Sequence, residues 1–85
     1  MNTIKWKTRA IKQVLKLPRQ TAQTIRDAIE EKLFVFPDCN QVKKLTNHQY
    51  QYRLRVGNYR VFFNFDGEIH IVDIGEVKKH DGTTY

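Results

Sequence analysis

Cysteine occurs once, at Cys39, so no internal disulfide can form, and the lone thiol sits in no recognisable nucleophile motif. Glycine occurs four times, each time where a turn reads naturally, which leaves no glycine-rich loop to cradle a phosphate. The longest aliphatic and aromatic run, LFVF at Leu33–Phe36, is far too short to span a bilayer. The opening MNTIKWKTR lacks the apolar stretch of a secretion signal, so a soluble intracellular chain with no membrane role is expected. Acids are missing from two long sectors. Residues 1–26 carry seven cations and no Asp or Glu, and residues 39–65 carry five cations and again no acid. Metal-assisted hydrolysis needs clustered carboxylates or histidines, and these sectors have no such cluster, so neither a metal nor another cofactor is expected.

What is present fits one domain spanning residues 1–85. Acid-free basic sectors favour a polyanion or an acidic protein as partner. Thr3–Lys7 alternates Ile4 and Trp6 with polar neighbours and predicts a short half-buried strand. Thr8 is placed to cap a helix carrying Ile11, Val14 and Leu15 on one stripe, ended by Pro18. From Ala22 the series Ile25, Ile29, Leu33, Phe36 predicts a longer helix that Pro37 stops. The segment PDCNQVKKLTNHQ has turn chemistry and no period, so it reads as a loop. Strands are expected at about 50–56, 59–65 and 68–74, joined by two-residue turns at Gly57-Asn58 and Asp66-Gly67. The fold class is then α+β, with a helical hairpin packed on one face of a mainly antiparallel four-stranded sheet in the order β-α-α-β-β-β.

Counting outward from those turns pairs Arg55 with Arg60 and Arg53 with Phe62. It also pairs Phe63 with His70, Phe62 with Ile71, Val61 with Val72 and Arg60 with Asp73. Alternation then gives the helices Tyr52, Leu54, Val56, Tyr59, Val61, Phe63, Val72 and Ile74, with His70 on that side. The opposite face collects Arg53, Arg55, Arg60, Phe62, Asn64, Ile69, Ile71 and Asp73, with no helix left to cover it. Like charges directly across a strand pair are destabilising, so an uncovered basic and apolar face asks for a ligand. One metal-free reaction suits packed cations: attack of an RNA 2′-hydroxyl on its own phosphate, with the charge building on phosphorus neutralised by Lys and Arg. Arginine remains protonated, so Arg53, Arg55 and Arg60 suit a phosphate clamp better than proton removal.

The hairpin YRLRVGNYRVFF, the tail EVKKHDGTTY and the order of elements resemble the RelE/ParE toxin superfamily over nearly the whole chain. The RelE branch implies a bacterial, cytoplasmic toxin of a type II toxin–antitoxin system. Such a toxin enters the A site of the 70S ribosome and cuts the mRNA there without metal, leaving a 2′,3′-cyclic phosphate and a 5′-hydroxyl. By motif match Arg53 and Arg55 take the two catalytic second-strand positions and Arg60 the third-strand arginine. Lys79, six residues before Tyr85, takes the tail cation, with Lys78 as the alternative; Tyr85 is the tail tyrosine that stacks on or orients the nucleotide. Lys43, Lys44, Lys78 and His80 are expected to grip RNA and ribosome. The resemblance also implies a RelB-like antitoxin, acidic or partly disordered, for which Phe62 and Ile71 are candidate anchors. Two arginines at the second-strand positions leave the family's lysine base without an equivalent there: either Lys78 or Lys79 substitutes, or catalysis rests mainly on positioning and charge. The ParE branch shares the hairpin and implies a DNA gyrase inhibitor without nuclease activity; the basic tail with Tyr85 favours the ribonuclease over it. A nucleic-acid-binding module without catalysis is the third reading.

Overall fold

The computed structural model describes residues 1–80. Strand β1 (Thr3–Trp6) leads into helix α1 (Thr8–Leu15), and helix α2 (Arg19–Ala28) continues through one wide π turn at Ile29–Leu33. Strands β2 (Val42–Lys44), β3 (Tyr52–Val56), β4 (Tyr59–Asp66) and β5 (Ile71–Lys79) follow. The sheet has the order β1-β5-β4-β3-β2; β1 runs parallel to β5 and the other pairs are antiparallel. The α+β class with two helices on one face of the sheet is as expected, with a fifth strand added. Among the described residues no helix is long and apolar enough to cross a membrane.

The fifth strand lies within the segment read as a loop. Val42, Lys43 and Lys44 pair with Leu54, Arg53 and Tyr52, extending the sheet by an edge. Three residues are too few to show an alternating pattern, so only pairing with β3 defines them.

The expected β4–β5 register is corrected. Asp66-Gly67 is no two-residue turn: Gly67–His70 form a four-residue loop, with Asp66 Oδ1 accepting the amides of Glu68 at 2.9 Å and Ile69 at 3.4 Å. His70 takes φ 54° and is exposed in this loop, not on the helix side. Phe63 consequently pairs with Ile74, Asn64 with Asp73 and Phe65 with Val72. The slip is an even number of residues, so Val72 and Ile74 still face the helices, and both are fully buried.

A second irregularity has the opposite effect. The register shifts between Phe62 and Phe63, so that Glu76 pairs with Phe62, Val77 with Val61 and Lys78 with Arg60, leaving Gly75 as the extra residue of a bulge. One inserted residue exchanges the faces of everything beyond it. Gly75 is required there because an added Cβ would stand 2.0 Å from Cε1 of Tyr50, whose ring lies against the strand.

The core lies between sheet and helices. Ala10 and Val14 bury against the sheet, as do Ile25, Ile29 and Leu33 of the second helical segment; this ends at Leu33, before Pro37, and Phe36 buries from the turn after it. Phe36 sits edge-on to Tyr52, Phe63 and Phe65 at 4.9–5.2 Å. The α1 stripe is turned from the one expected: Ala10 and Val14 point inward, while Ile11 and Leu15 are exposed.

A buried polar residue ties the two ends of this layer. The Asn2 side-chain amide donates to the carbonyls of Leu33 at 2.9 Å and Phe36 at 2.7 Å, and its backbone N–H donates to Phe34 O at 2.9 Å. These carbonyls belong to the last helical residue and the turn after it; of them Leu33 O also accepts the Phe36 N–H at 3.4 Å. We predict that Asn2→Ala lowers unfolding free energy by about 1–3 kcal/mol, read from the urea midpoint, because it removes two buried hydrogen bonds. Gly75→Ala should cost a similar 1–3 kcal/mol, since Tyr50 or the strand has to move; an unchanged midpoint would show that the ring is free to leave.

Candidate nucleic-acid interface

The strand register builds two rows of side chains on the face away from the helices. Arg55, Arg60 and Lys78 form one row across β3, β4 and β5. Lys43, Arg53, Phe62 and Glu76 form the next, across β2 to β5. His80 follows Lys78 on the same face; its backbone N–H donates to Asn58 O at 2.5 Å, which fastens the end of β5 beside the Gly57-Asn58 turn. The His80 Nδ1 atom meets Nη2 of Arg60. A guanidinium only donates, so Nδ1 accepts and a neutral His80 ring carries its proton on Nε2.

Arg53, Arg55, Gly57, Tyr59, Arg60 and His80 border one concavity of about 290 Å³. Within it Arg53 is half-buried, and its Nε has no hydrogen-bond partner among the described residues. An unpaired buried guanidinium N–H is costly unless something accepts from it. The cations are partly balanced on one flank. Glu76, only 13% exposed at its side chain, lies 3.6 Å from Lys78 Nζ and 3.5 Å from Arg9 Nη1. Asp73 does not reach Arg60 as expected; it pairs with Lys7 at 3.4 Å.

The bulge decides which tail lysine belongs to this site. Lys78 lies opposite Arg60, whereas Lys79 lies opposite Tyr59 and so on the helix side. Of the two, Lys78 thus stands on the face of the Arg60 row, and Lys79, expected as the tail cation, stands on the opposite one. Of the two β2 lysines, Lys43 shares the row of Arg53, and Lys44 falls opposite Tyr52 on the other face; both are exposed. Tyr85 lies outside the described residues.

Phe62, on the apolar part of the expected face, is covered by the loop before β3, whereas Ile69 is exposed. Phe62 is only 6% exposed beneath His48, whose ring lies 5.0 Å away and 14° from parallel, and beside Tyr50 at 6.1 Å. Phe62 is thus no open anchor for a partner. Ile71 is half-buried at the far end of β5, opposite Asp66, and borders a separate open concavity with Asp66, Glu68 and Asp73. Sequence reasoning left His48 as a loop residue, since its place depends on the fold of the loop and no local pattern signals it.

Other chemistries find little support. Among the described residues no group of three or more His, Cys, Asp or Glu is placed to hold a metal ion. Burial raises the Cys39 thiol above its ordinary value, assisted by Asp38 and opposed by Lys32, which is the wrong direction for a nucleophile.

The profile described as the ParE toxin of type II toxin–antitoxin systems, parDE, matches residues 4–82. The chain belongs to that family, and so to the RelE/ParE superfamily of toxins. No curated protein sequence matches it significantly. Among solved structures it resembles a chain of the RelBE2 toxin–antitoxin complex of Mycobacterium tuberculosis, with 21% identity, 93% of this chain and 98% of that one covered, and a TM-score of 0.75. The isolated RelE toxin of E. coli gives 19% identity, 95% and 86% coverage and a TM-score of 0.76. The archaeal RelE–RelB complex of Pyrococcus horikoshii gives 22%, 95%, 97% and 0.70. At these identities the structures share the fold.

We predict that Lys78→Ala lowers the dependence of affinity on salt for a short single-stranded RNA by about 0.7 in the log–log slope, the loss of one phosphate contact. Lys79→Ala should leave that slope nearly unchanged; equal losses would show that register does not select the cation.

Proposed function

We propose that this toxin is a ribosome-dependent endoribonuclease that cuts mRNA in the ribosomal A site by attack of a 2′-hydroxyl on the adjacent phosphate. The observation that carries the reading is the convergence of Arg53, Arg55, Arg60 and His80 on one concavity. The arginines hold the phosphate and the charge that builds on it as phosphorus becomes five-coordinate. The same positive field repels a divalent cation, so the charge is met by guanidinium groups.

His80 supplies what arginine cannot, since imidazole is the side chain suited to exchange a proton near neutrality. At rest its Nδ1 is engaged by Arg60. With a phosphate held by that guanidinium, Nδ1 accepts the 2′-hydroxyl proton. The O2′–P bond then forms and the P–O5′ bond breaks, with O5′ taking a proton from solvent. The products are a 2′,3′-cyclic phosphate and a 5′-hydroxyl. Lys78 stands in the Arg60 row and contributes charge; Lys43 grips RNA from the edge strand, and Lys44 follows it from the other face.

As a type II toxin the chain is held inactive by an antitoxin. The solved relatives include RelE–RelB complexes, and the acid-free sectors 1–26 and 39–65 suit an acidic RelB-like segment. The match to the ParE profile favours a second reading, inhibition of DNA gyrase without cleavage.

Mapping RNA 5′ ends after brief expression separates the two. We expect new ends within translated codons, and Arg60→Ala to lower cleavage by about 100-fold or more while leaving the urea midpoint in place. Intact mRNA accompanied by DNA breaks would overturn the ribonuclease reading in favour of gyrase.

A further inference from the structure

Resting on the RNA-cleaving reading, we propose that His48 is a nucleobase-stacking residue, which receives the base of a nucleotide whose phosphate lies among Arg53, Arg55 and Arg60.

His48 is exposed, yet its ring is held from several sides. One face lies on Phe62, 14° from parallel at 5.0 Å. Its Nδ1 accepts the backbone N–H of Tyr50 at 3.0 Å, which fixes the ring's rotation and places the proton of the neutral ring on Nε2, away from the loop. The platform beneath is rigid, because Phe62 and Tyr50 are 6% and 5% exposed and Tyr50 is seated on the bare backbone of Gly75. The loop is also stitched down on both sides of His48. Leu45 N–H donates to Gln51 O at 2.8 Å, Gln51 N–H to Asn64 Oδ1 at 2.8 Å, and Phe65 N–H to Gln51 Oε1 at 2.9 Å.

A solvent-facing histidine held this firmly keeps a flat π surface in place at little further entropic cost. Its location gives the surface a use. Phe62 and Arg60 are two residues apart on β4, so the stack stands about 7 Å from the arginine row along the strand, and Arg53 is the cross-strand neighbour of Phe62 itself. A phosphate clamp beside an aromatic face is the arrangement that single-stranded nucleic acid selects: cations follow the backbone and a ring takes a base. An acidic peptide would use the cations and leave the ring idle.

The test uses the full chain and a short single-stranded RNA bearing one 2-aminopurine, whose fluorescence falls when the base stacks. Wild type and His48→Phe should quench it on binding. His48→Leu covers Phe62 but offers no π face; it should bind about tenfold or more weakly and quench little. Quenching by His48→Leu equal to that of wild type, at an unchanged urea midpoint, would overturn the proposal. Rates of mRNA cleavage on programmed ribosomes separate it from the reading beneath it. Quenching that requires an aromatic residue at position 48 supports stacking even where no RNA is cut, and in that event the nuclease reading alone falls. Cleavage and quenching both indifferent to His48→Leu would remove the stacking role and leave the nuclease reading standing.

Discussion

The absence of a Cβ at Gly75 governs the functional face. It lets the Tyr50 ring lie against β5 where any other residue would collide with it. It also marks the bulge that reverses the parity of the strand's last residues, placing Lys78 in the Arg60 row and bringing His80 to Arg60. Tyr50 in turn flanks Phe62, and Phe62 carries His48. One backbone position therefore controls both the cation cluster and the aromatic stack beside it.

The cluster works against the fold that holds it. Arg55 opposite Arg60 and Lys78 beyond it form a row of like charges across three strands. Such a row is tolerated because the opposite side of the same strands is fully committed: Leu54, Val61, Phe63 and Ile74 have no exposure. Glu76 takes up part of the repulsion at one flank through Arg9 and Lys78. What remains is a positive field that a phosphate backbone, or an acidic segment of an antitoxin, can discharge.

Much of this was legible in the sequence. The Gly57-Asn58 turn has two residues as read, so the β3–β4 register and the Arg55–Arg60 pair followed by counting. The apolar stripe Ile25, Ile29, Leu33 was equally direct. The errors share a cause, which is that local patterns do not reveal a change of register. Asp66-Gly67 looked like a tight turn, but the Asp66 carboxylate opens it to four residues. The bulge at Gly75 is invisible without Tyr50, a residue far away in the chain, so the sequence does not show that Lys78 rather than Lys79 shares the Arg60 face. The β2 edge and the covering of Phe62 are likewise products of tertiary contact. His48 was missed because its function would arise from what lies beneath it.

The parallel pairing of β1 with β5 has a consequence for how the molecule comes into being. Thr3–Trp6 find their partners only at Ile71–Ile74, so the sheet closes through a contact between distant parts of the chain. Lys78 and His80 lie just beyond that contact. A nascent polypeptide emerging from its own ribosome holds Arg53, Arg55 and Arg60 before it has the strand that completes their pocket. The cationic face is therefore complete only once synthesis has passed β5 and brought Lys78 and His80 beside the arginines.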